Sequence, residues 1–180
     1  MNPERRKFVL FGLVAGICLV LDQITKYVVR ETIKPLGYAG RQVIDEHFVL
    51  RFSENTGVAF GMLQSLPGGR VILTIVALFA LFLVVQYLRR TDPSHTRLQW
   101  GLGLVAGGAL GNLVDRIALG GVTDFLVVDL GFWPLNPWPA FNVADAALVI
   151  GVGIMAIDMA RAPKSEAKPD DGAAVGAKRG

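Results

Sequence analysis

Long apolar runs separated by short polar clusters dominate the chain. Hydrophobic blocks extend from about Phe8 to Val29, Val71 to Leu88, Leu98 to Val114 and Phe141 to Met159. Each is close to the roughly 20 residues a helix needs to cross about 30 Å of hydrocarbon. Between the first two blocks, Gln42 to Phe52 (QVIDEHFVLRF) places β-branched and aromatic residues in near-alternation with polar ones, which predicts one or two strands. The segment Val122 to Leu130 (VTDFLVVDL) has the same character and is expected to pair with them. The expected fold is an α-helical polytopic membrane protein: four transmembrane helices, a connection over about 30–70, and a small β element resting on one membrane surface. Residues 1–162 are expected to form one membrane-embedded domain. The Lys-, Ala-, Gly- and Asp-rich stretch 163–180 reads as a disordered tail.

Composition agrees with the blocks. Of 180 residues, 52% are hydrophobic and 18% charged, against roughly 25% charged in soluble domains. The net charge of +3 comes from basic residues gathered in short segments, which suits membrane topology and not a nucleic-acid groove. Arg5, Arg6 and Lys7 precede the first block; Arg89, Arg90 and Arg97 lie between the second and third; Arg161, Lys164, Lys168, Lys178 and Arg179 follow the fourth. The 115–140 connection carries only Arg116. Both termini are therefore expected in the cytoplasm, with connections 30–70 and 115–140 outside. The basic start and apolar core also fit a signal peptide, but no A-x-A site follows and Asp22, Gln23, Thr25 and Lys26 come next. The first block is expected to stay as a helix. Trp133 and Trp138, with Pro134, Pro137 and Pro139, suit an interfacial turn before the last block. A single cysteine, Cys18, excludes an internal disulfide and reads as a buried thiol.

The polar residues inside these blocks fall at one depth. At 1.5 Å per residue, Asp22 lies roughly 21 Å along the first helix, Asp115 about 25 Å along the third, and Asp145 about 6 Å below the outer end of the fourth. Asn55 and Asp124 are outside by topology. So Asp22, Asn55, Asn112, Asp115, Arg116, Asp124, Asn142 and Asp145 are able to meet near the outer interface. Gly108, Asn112, Asp115 and Arg116 share one helical stripe, and Asp22 is spaced to pair with Lys26. Ionisable groups in a span cost about 2.5–3.5 kcal/mol each on insertion scales and normally face a bundle interior.

Each also has a purely structural interpretation. Asp22 with Lys26 would be a helix-end ion pair, and Asp115 with Arg116 a pair holding the third helix to a loop. Asn112 and Asn142 would be hydrogen-bonding scaffold, and Asn55-Thr56-Gly57 a turn. Asp124 and Asp145 resist this treatment because neither has a basic neighbour in sequence. Asp129 is a weaker competitor, closer to the polar turn.

The remaining inventory narrows the chemistry. His95 lies across the membrane from the cluster, and His47 has no second histidine for HExxH. No G-x-S-x-G or phosphate loop occurs, and no serine falls in the first, third or fourth block. Two carboxylates from different segments remain. Brought close together they share a proton, and such a pair acts on a water and a carbonyl as an aspartic peptidase does. Asp124 and Asp145 are the candidates, with no metal or cofactor required.

Five ordered blocks then carry a resemblance. They are Asp22-Gln23-Ile24-Thr25-Lys26, Asn55-Thr56-Gly57-Val58-Ala59-Phe60, Gly107 to Arg116 (GGALGNLVDR), Val122-Thr123-Asp124-Phe125 and Phe141-Asn142-Val143-Ala144-Asp145. Together they resemble the lipoprotein signal peptidases, or signal peptidase II. The resemblance implies a bacterial cytoplasmic-membrane aspartyl peptidase that works at the outer face and needs no cofactor. Its implied substrates are prolipoproteins carrying a diacylglyceryl-cysteine, cleaved just before that cysteine; a monomer in contact with lipid is expected. Asp124 and Asp145 would be the catalytic pair, with Asp22, Lys26, Asn55, Gly108, Asn112, Asp115, Arg116 and Asn142 supporting the site or touching substrate. The departures are Val58, where alanine is frequent, Ala146, where serine is common, and a long, proline-rich turn from Gly131 to Pro139. The outer loop, with Asn55 and Phe60, would act as a lid. Competing classes are a proton-coupled transporter using Asp22, Asp115 and Asp145, and a scaffold whose acids only pair helices. The first lacks a visible inverted repeat and midplane acids.

Overall fold

The computed structural model describes residues 1–44, 47–57, 68–131 and 138–161. Its elements in order are α1 (Pro3–Thr32), a 3-10 segment (Lys34–Ala39), β1 (Arg41–Ile44), β2 (Phe48–Asn55), α2 (Gly69–Arg90), α3 (Thr96–Ala118), β3 (Val122–Val128) and α4 (Val143–Arg161). All four expected apolar blocks are helices. The expected lid around Phe60, the turn residues Trp133, Pro134 and Pro137, and the tail 163–180 lie outside the described residues.

Local chemistry sets the helix ends. Asn2 caps α1, its Oδ1 accepting from the Glu4 N–H at 3.0 Å, and Pro3 occupies the first turn. Thirty residues give α1 about 45 Å, more than a bilayer core requires. α4 starts at Val143 and not at Phe141, because Phe141 is bound to a strand: its N–H donates to Leu126 O at 3.1 Å and its carbonyl accepts from Leu126 N at 2.8 Å.

β1, β2 and β3 form one antiparallel sheet in that order, with Ser53 opposite Asp124 and Asn55 opposite Val122. A register shift between Leu50 and Ser53 bends β2. The sheet is seated on α1 by Val29, Ile33 and Phe125, with Leu50, Phe52 and Val143 around them. A second apolar cluster, Ala15, Val84, Leu88, Leu98, Leu102 and Ala106, joins the helices at the other end. There the buried Lys7 ammonium donates to Thr91 O at 2.9 Å, tying the start of α1 to the end of α2.

α1, α2 and α4 are each long and apolar enough to cross a membrane, and their outer faces expose Ile17, Phe79, Phe82 and Val149 among many others. α3 does not meet that test. It packs against α1, α2 and α4, so glycines, Gln99, Asn112 and Asp115 replace the large apolar residues a lipid-facing surface would need.

Candidate active site

Glycines on α3 allow the side chains of three helices to share one small volume. A Cβ on Gly107 would lie 2.6 Å from Cys18 Cβ and 2.7 Å from Ala15 O, and one on Gly111 would collide with Asp22 Oδ2. Gly108 faces α4, where a Cβ would run into the Ala144 carbonyl oxygen and meet Leu148 Cγ at 3.0 Å. We predict that Gly108→Ala destabilises the protein by about 1–3 kcal/mol through overpacking. Gly12→Ala, with nothing within 4 Å, is instead neutral or stabilising by up to about 1 kcal/mol; thermal unfolding in detergent compares the two.

The close approach brings Lys26 into the middle of a charged cluster. Asp22 and Lys26 are both 0% exposed. The Lys26 ammonium is 2.9 Å from Asp22 Oδ2 and 3.5 Å from Asp115 Oδ2, and donates to Asn112 Oδ1 at 2.9 Å. Asp22 Oδ1 accepts from Ala144 N at 2.9 Å, so a carboxylate on α1 satisfies a free N–H in the first turn of α4. Asp115 Oδ2 accepts from Thr123 N at 2.9 Å and ties the end of α3 to β3.

From that cluster two amides reach the candidate aspartates. Lysine only donates, so the Asn112 atom facing Lys26 is its oxygen, and its Nδ2 is left to donate to Asp145 Oδ1 at 2.8 Å. The same logic orients Asn142. Its Oδ1 accepts from the Asp145 N–H at 2.9 Å, while Asp145 Oδ2 accepts from the Asn142 N–H at 3.2 Å. This reciprocal box caps α4. Asn142 Nδ2 then faces Asp124 Oδ1 at 2.7 Å, with Asn112 Oδ1 at 3.1 Å and Thr123 O at 3.3 Å. On the other side Asn55 Nδ2 donates to Asp124 Oδ2 at 3.0 Å, and Asn55 Oδ1 is occupied by Gly57 N at 3.1 Å. Asp124 and Asp145 thus come from a strand and a helix and are linked by amides that present N–H groups to both. Burial first, and then the charge of Asp145, push Asp124 up to about 6; hydrogen bonds from Asn55 and Asn142 and the charge of Lys26 act against the rise.

Comparison with known proteins bears on this constellation. The sequence profile of signal peptidase (SPase) II matches residues 14–161. The chain belongs to the signal peptidase II family. Its relatives include lipoprotein signal peptidases from Geobacter metallireducens (35% identical, covering 93% of this chain and 99% of the relative), Symbiobacterium thermophilum (40%; 79% and 89%) and Pseudomonas putida (38%; 92% and 96%). Two solved structures of a bacterial membrane enzyme superpose on it. One has a TM-score of 0.74 at 27% identity, covering 88% of this chain and 92% of the other; the second has 0.73 at 29%, covering 83% and 92%.

In this signal peptidase II family member every site residue expected from the sequence falls in or beside the cluster, but some partners differ. Asp115 pairs with Lys26, and its Oδ1 lies 3.7 Å from Arg30 Nη1. Arg116 lies at the rim and donates to Asn112 O at 3.4 Å. Asp115 holds α3 to strand β3 and not to a loop, through Thr123 and not through its sequence neighbour. The Asp22–Lys26 pair exists, but it is buried and not at a helix end. Asn55 ends a strand and turns its amide onto Asp124. Asp129 lies apart, its Oδ1 accepting from Gly131 N in a turn. Gln23 and Arg30, to which the sequence motifs assign no role, also join the cluster. Gln23 Nε2 donates to Asp22 Oδ2, Gly111 O and Asp115 Oδ1 at 3.1–3.3 Å, and Arg30 donates to Thr123 Oγ1 at 2.9 Å. The i, i+4, i+8 spacing of Asp22, Lys26 and Arg30 was the available signal.

Proposed function

We propose that the chain is a monomeric, four-span aspartyl endopeptidase of the bacterial cytoplasmic membrane. It removes the signal peptide from diacylglyceryl-modified prolipoproteins, with Asp124 and Asp145 as its catalytic pair. The observation that carries the proposal is the pair itself: two carboxyls from different elements, joined through Asn112 and Asn142, with Asp124 raised to about 6. A carboxyl that keeps its proton near neutral pH serves as a general acid beside one that serves as base. Asp145 takes a proton from a water as that water attacks the scissile carbonyl, while Asp124 gives its proton to the carbonyl oxygen. Collapse of the tetrahedral intermediate breaks the C–N bond. The departing amine of the lipidated cysteine takes a proton from Asp145, and a hydroxyl proton of the intermediate returns to Asp124.

Topology supports four spans and the orientation. The sheet joins strands that follow α1 to the strand that follows α3, so α1 and α3 end at one face. The Lys7–Thr91 contact sets the start of α1 beside the end of α2 at the other face. If α1, α2 and α4 cross, α3 must cross to connect them; its modest hydropathy follows from its central place. Arg5, Arg6, Arg89, Arg90, Arg97 and Arg161 then lie on one side, the cytoplasmic one, and the sheet and aspartates on the other. A groove of about 440 Å³ between the C-terminal ends of α2 and α4 and the side of α3, lined by Leu83, Tyr87, Arg90, Leu102, Met155 and Met159, suits apolar side chains at the cytoplasmic end of the signal helix. Residues 1–162 act as one domain, and all the site residues come from one chain.

The direct test is cleavage of a diacylglyceryl prolipoprotein and of its unlipidated precursor in detergent. Only the lipidated form is expected to be cut, just before the modified cysteine; equal cleavage of both overturns the substrate assignment. Because Asp124 must be protonated to act as acid, kcat/KM is expected to fall as pH rises through about 6. Asn55→Ala removes a hydrogen bond that holds Asp124 down, so the falling limb moves to higher pH. A limb that stays in place or moves down excludes Asp124 as the acid.

A further inference from the structure

An apolar groove lies on the flank of α4 turned away from Asp145. It is a slot of about 450 Å³ between α1, α3 and α4, walled by Leu13, Ile17, Leu104, Val143, Ala147 and Ile150. Trp100 stands in its wall and also lines a cavity of about 290 Å³ with Arg97, Ile154, Ile157 and Asp158. On α4 the residues lining the two, at 143, 147, 150, 154 and 157–158, recur every three or four positions and so form one continuous stripe. That stripe is about 22 Å long. At about 100° per residue Asp145 points roughly 200° away from Val143, so the slot is separate from the catalytic face of α4.

The end away from the sheet has distinctive chemistry. Arg97, in the first turn of α3, and Asp158, in the last turns of α4, put one positive and one negative group at the mouth of an otherwise apolar slot. No ion pair joins these two among the described residues. Trp100 between them is 48% exposed, as an interfacial anchor would be.

We propose that this slot binds one phosphatidylethanolamine-type phospholipid from the leaflet opposite the sheet, with an acyl chain along the α1–α4 wall, its phosphate on Arg97 and its ammonium on Asp158. The headgroup follows from charge complementarity. A glycerol headgroup would satisfy Arg97 but face the Asp158 carboxylate with no positive group, and a serine headgroup would bring a second carboxylate against Asp158. A choline headgroup carries positive charge but has no N–H to donate. Only a phosphate with a primary ammonium answers both side chains. The site does not depend on the catalytic assignment.

Native mass spectrometry of the full chain tests it, after incubation in detergent with an equimolar mixture of phosphatidylethanolamine, phosphatidylcholine and phosphatidylglycerol. The wild type is expected to retain one ethanolamine lipid with about fivefold preference over each of the others, the ratio one partly exposed charge pair supports. Arg97→Gln and Asp158→Asn should each abolish that preference, and Ile150→Trp, which fills the slot, should lower retention of all three lipids. Prolipoprotein cleavage should be unchanged in the two charge variants, showing that they are folded. Equal retention of the three lipids by the wild type, a preference for phosphatidylglycerol, or undiminished ethanolamine preference in both charge variants overturns the proposal.

Discussion

Asp124→Asn and Asp145→Asn are each expected to slow prolipoprotein cleavage by at least about 10³-fold, the scale on which a positioned acid or base acts. Asparagine preserves size and one of the two hydrogen bonds each carboxylate accepts, so both variants should still bind the substrate. Asp124→Asn also has a stability signature that reports the raised proton affinity of the native carboxyl. The folded protein holds the Asp124 proton up to about pH 6, above its ordinary value of 3.8. The favourable share of this group is therefore complete below about pH 4 and is lost as pH rises through 6, when the folded site must ionise. The displacement corresponds to about 3 kcal/mol. Between pH 4 and 8 the stability difference should shift in favour of Asp124→Asn by up to that amount. Thermal unfolding at the two pH values measures it, and a difference that does not change with pH removes the basis for Asp124 as acid. If instead one variant cleaves near the wild-type rate, that aspartate is structural and Asp115 becomes the next candidate.

Lys26→Met is expected to destabilise the protein by about 3–5 kcal/mol, although Lys26 touches neither Asp124 nor Asp145. Its ammonium is the buried cation between Asp22 and Asp115, and removing one partner of a buried ionic group leaves uncompensated charge. Activity should fall in what remains folded, because Asn112 Oδ1 loses the donor that keeps its Nδ2 on Asp145. Lys26→Arg should not rescue, since the guanidinium is larger and planar and the pocket is fitted to one ammonium. Adding Asp22→Asn to Lys26→Met should recover part of the loss, and a double-mutant cycle in unfolding reads that coupling. A loss under about 1 kcal/mol would mean that the cluster relaxes or hydrates.

The largest features were legible because they rest on local rules. An apolar run of about 20 residues has few alternatives to a spanning helix, and the near-alternation in 42–52 marked the two strands that form. Helix rise alone was enough to bring Asp22, Asn112, Asp115 and Asp145 to one depth. α3 was recognised as a helix from its block, yet it falls short of the apolar character of the other three. Its glycines and amides face neighbouring helices, and a sequence does not say which helix is surrounded.

Nearness in sequence is a poor guide to ion-pair partners. Asp115 does not pair with the adjacent Arg116: successive residues point about 100° apart on a helix, and Lys26 and Arg30 reach Asp115 from α1. Gln23, although part of a motif, and Arg30 carry no role in the sequence reading because their roles exist only once α1 lies against α3 and β3.

The sequence by itself determined the helices, the sheet segments and the set of polar residues available to one site, because each follows from solvent preference and backbone period. The tertiary structure decided which atom faces which: that Gly107 and Gly111 admit α1, that Lys26 turns Asn112 onto Asp145, and that Asn142 caps α4 while holding Asp124. Those choices depend on contacts between residues up to 122 positions apart, fixed by close packing, for which periodicity along the chain carries no information.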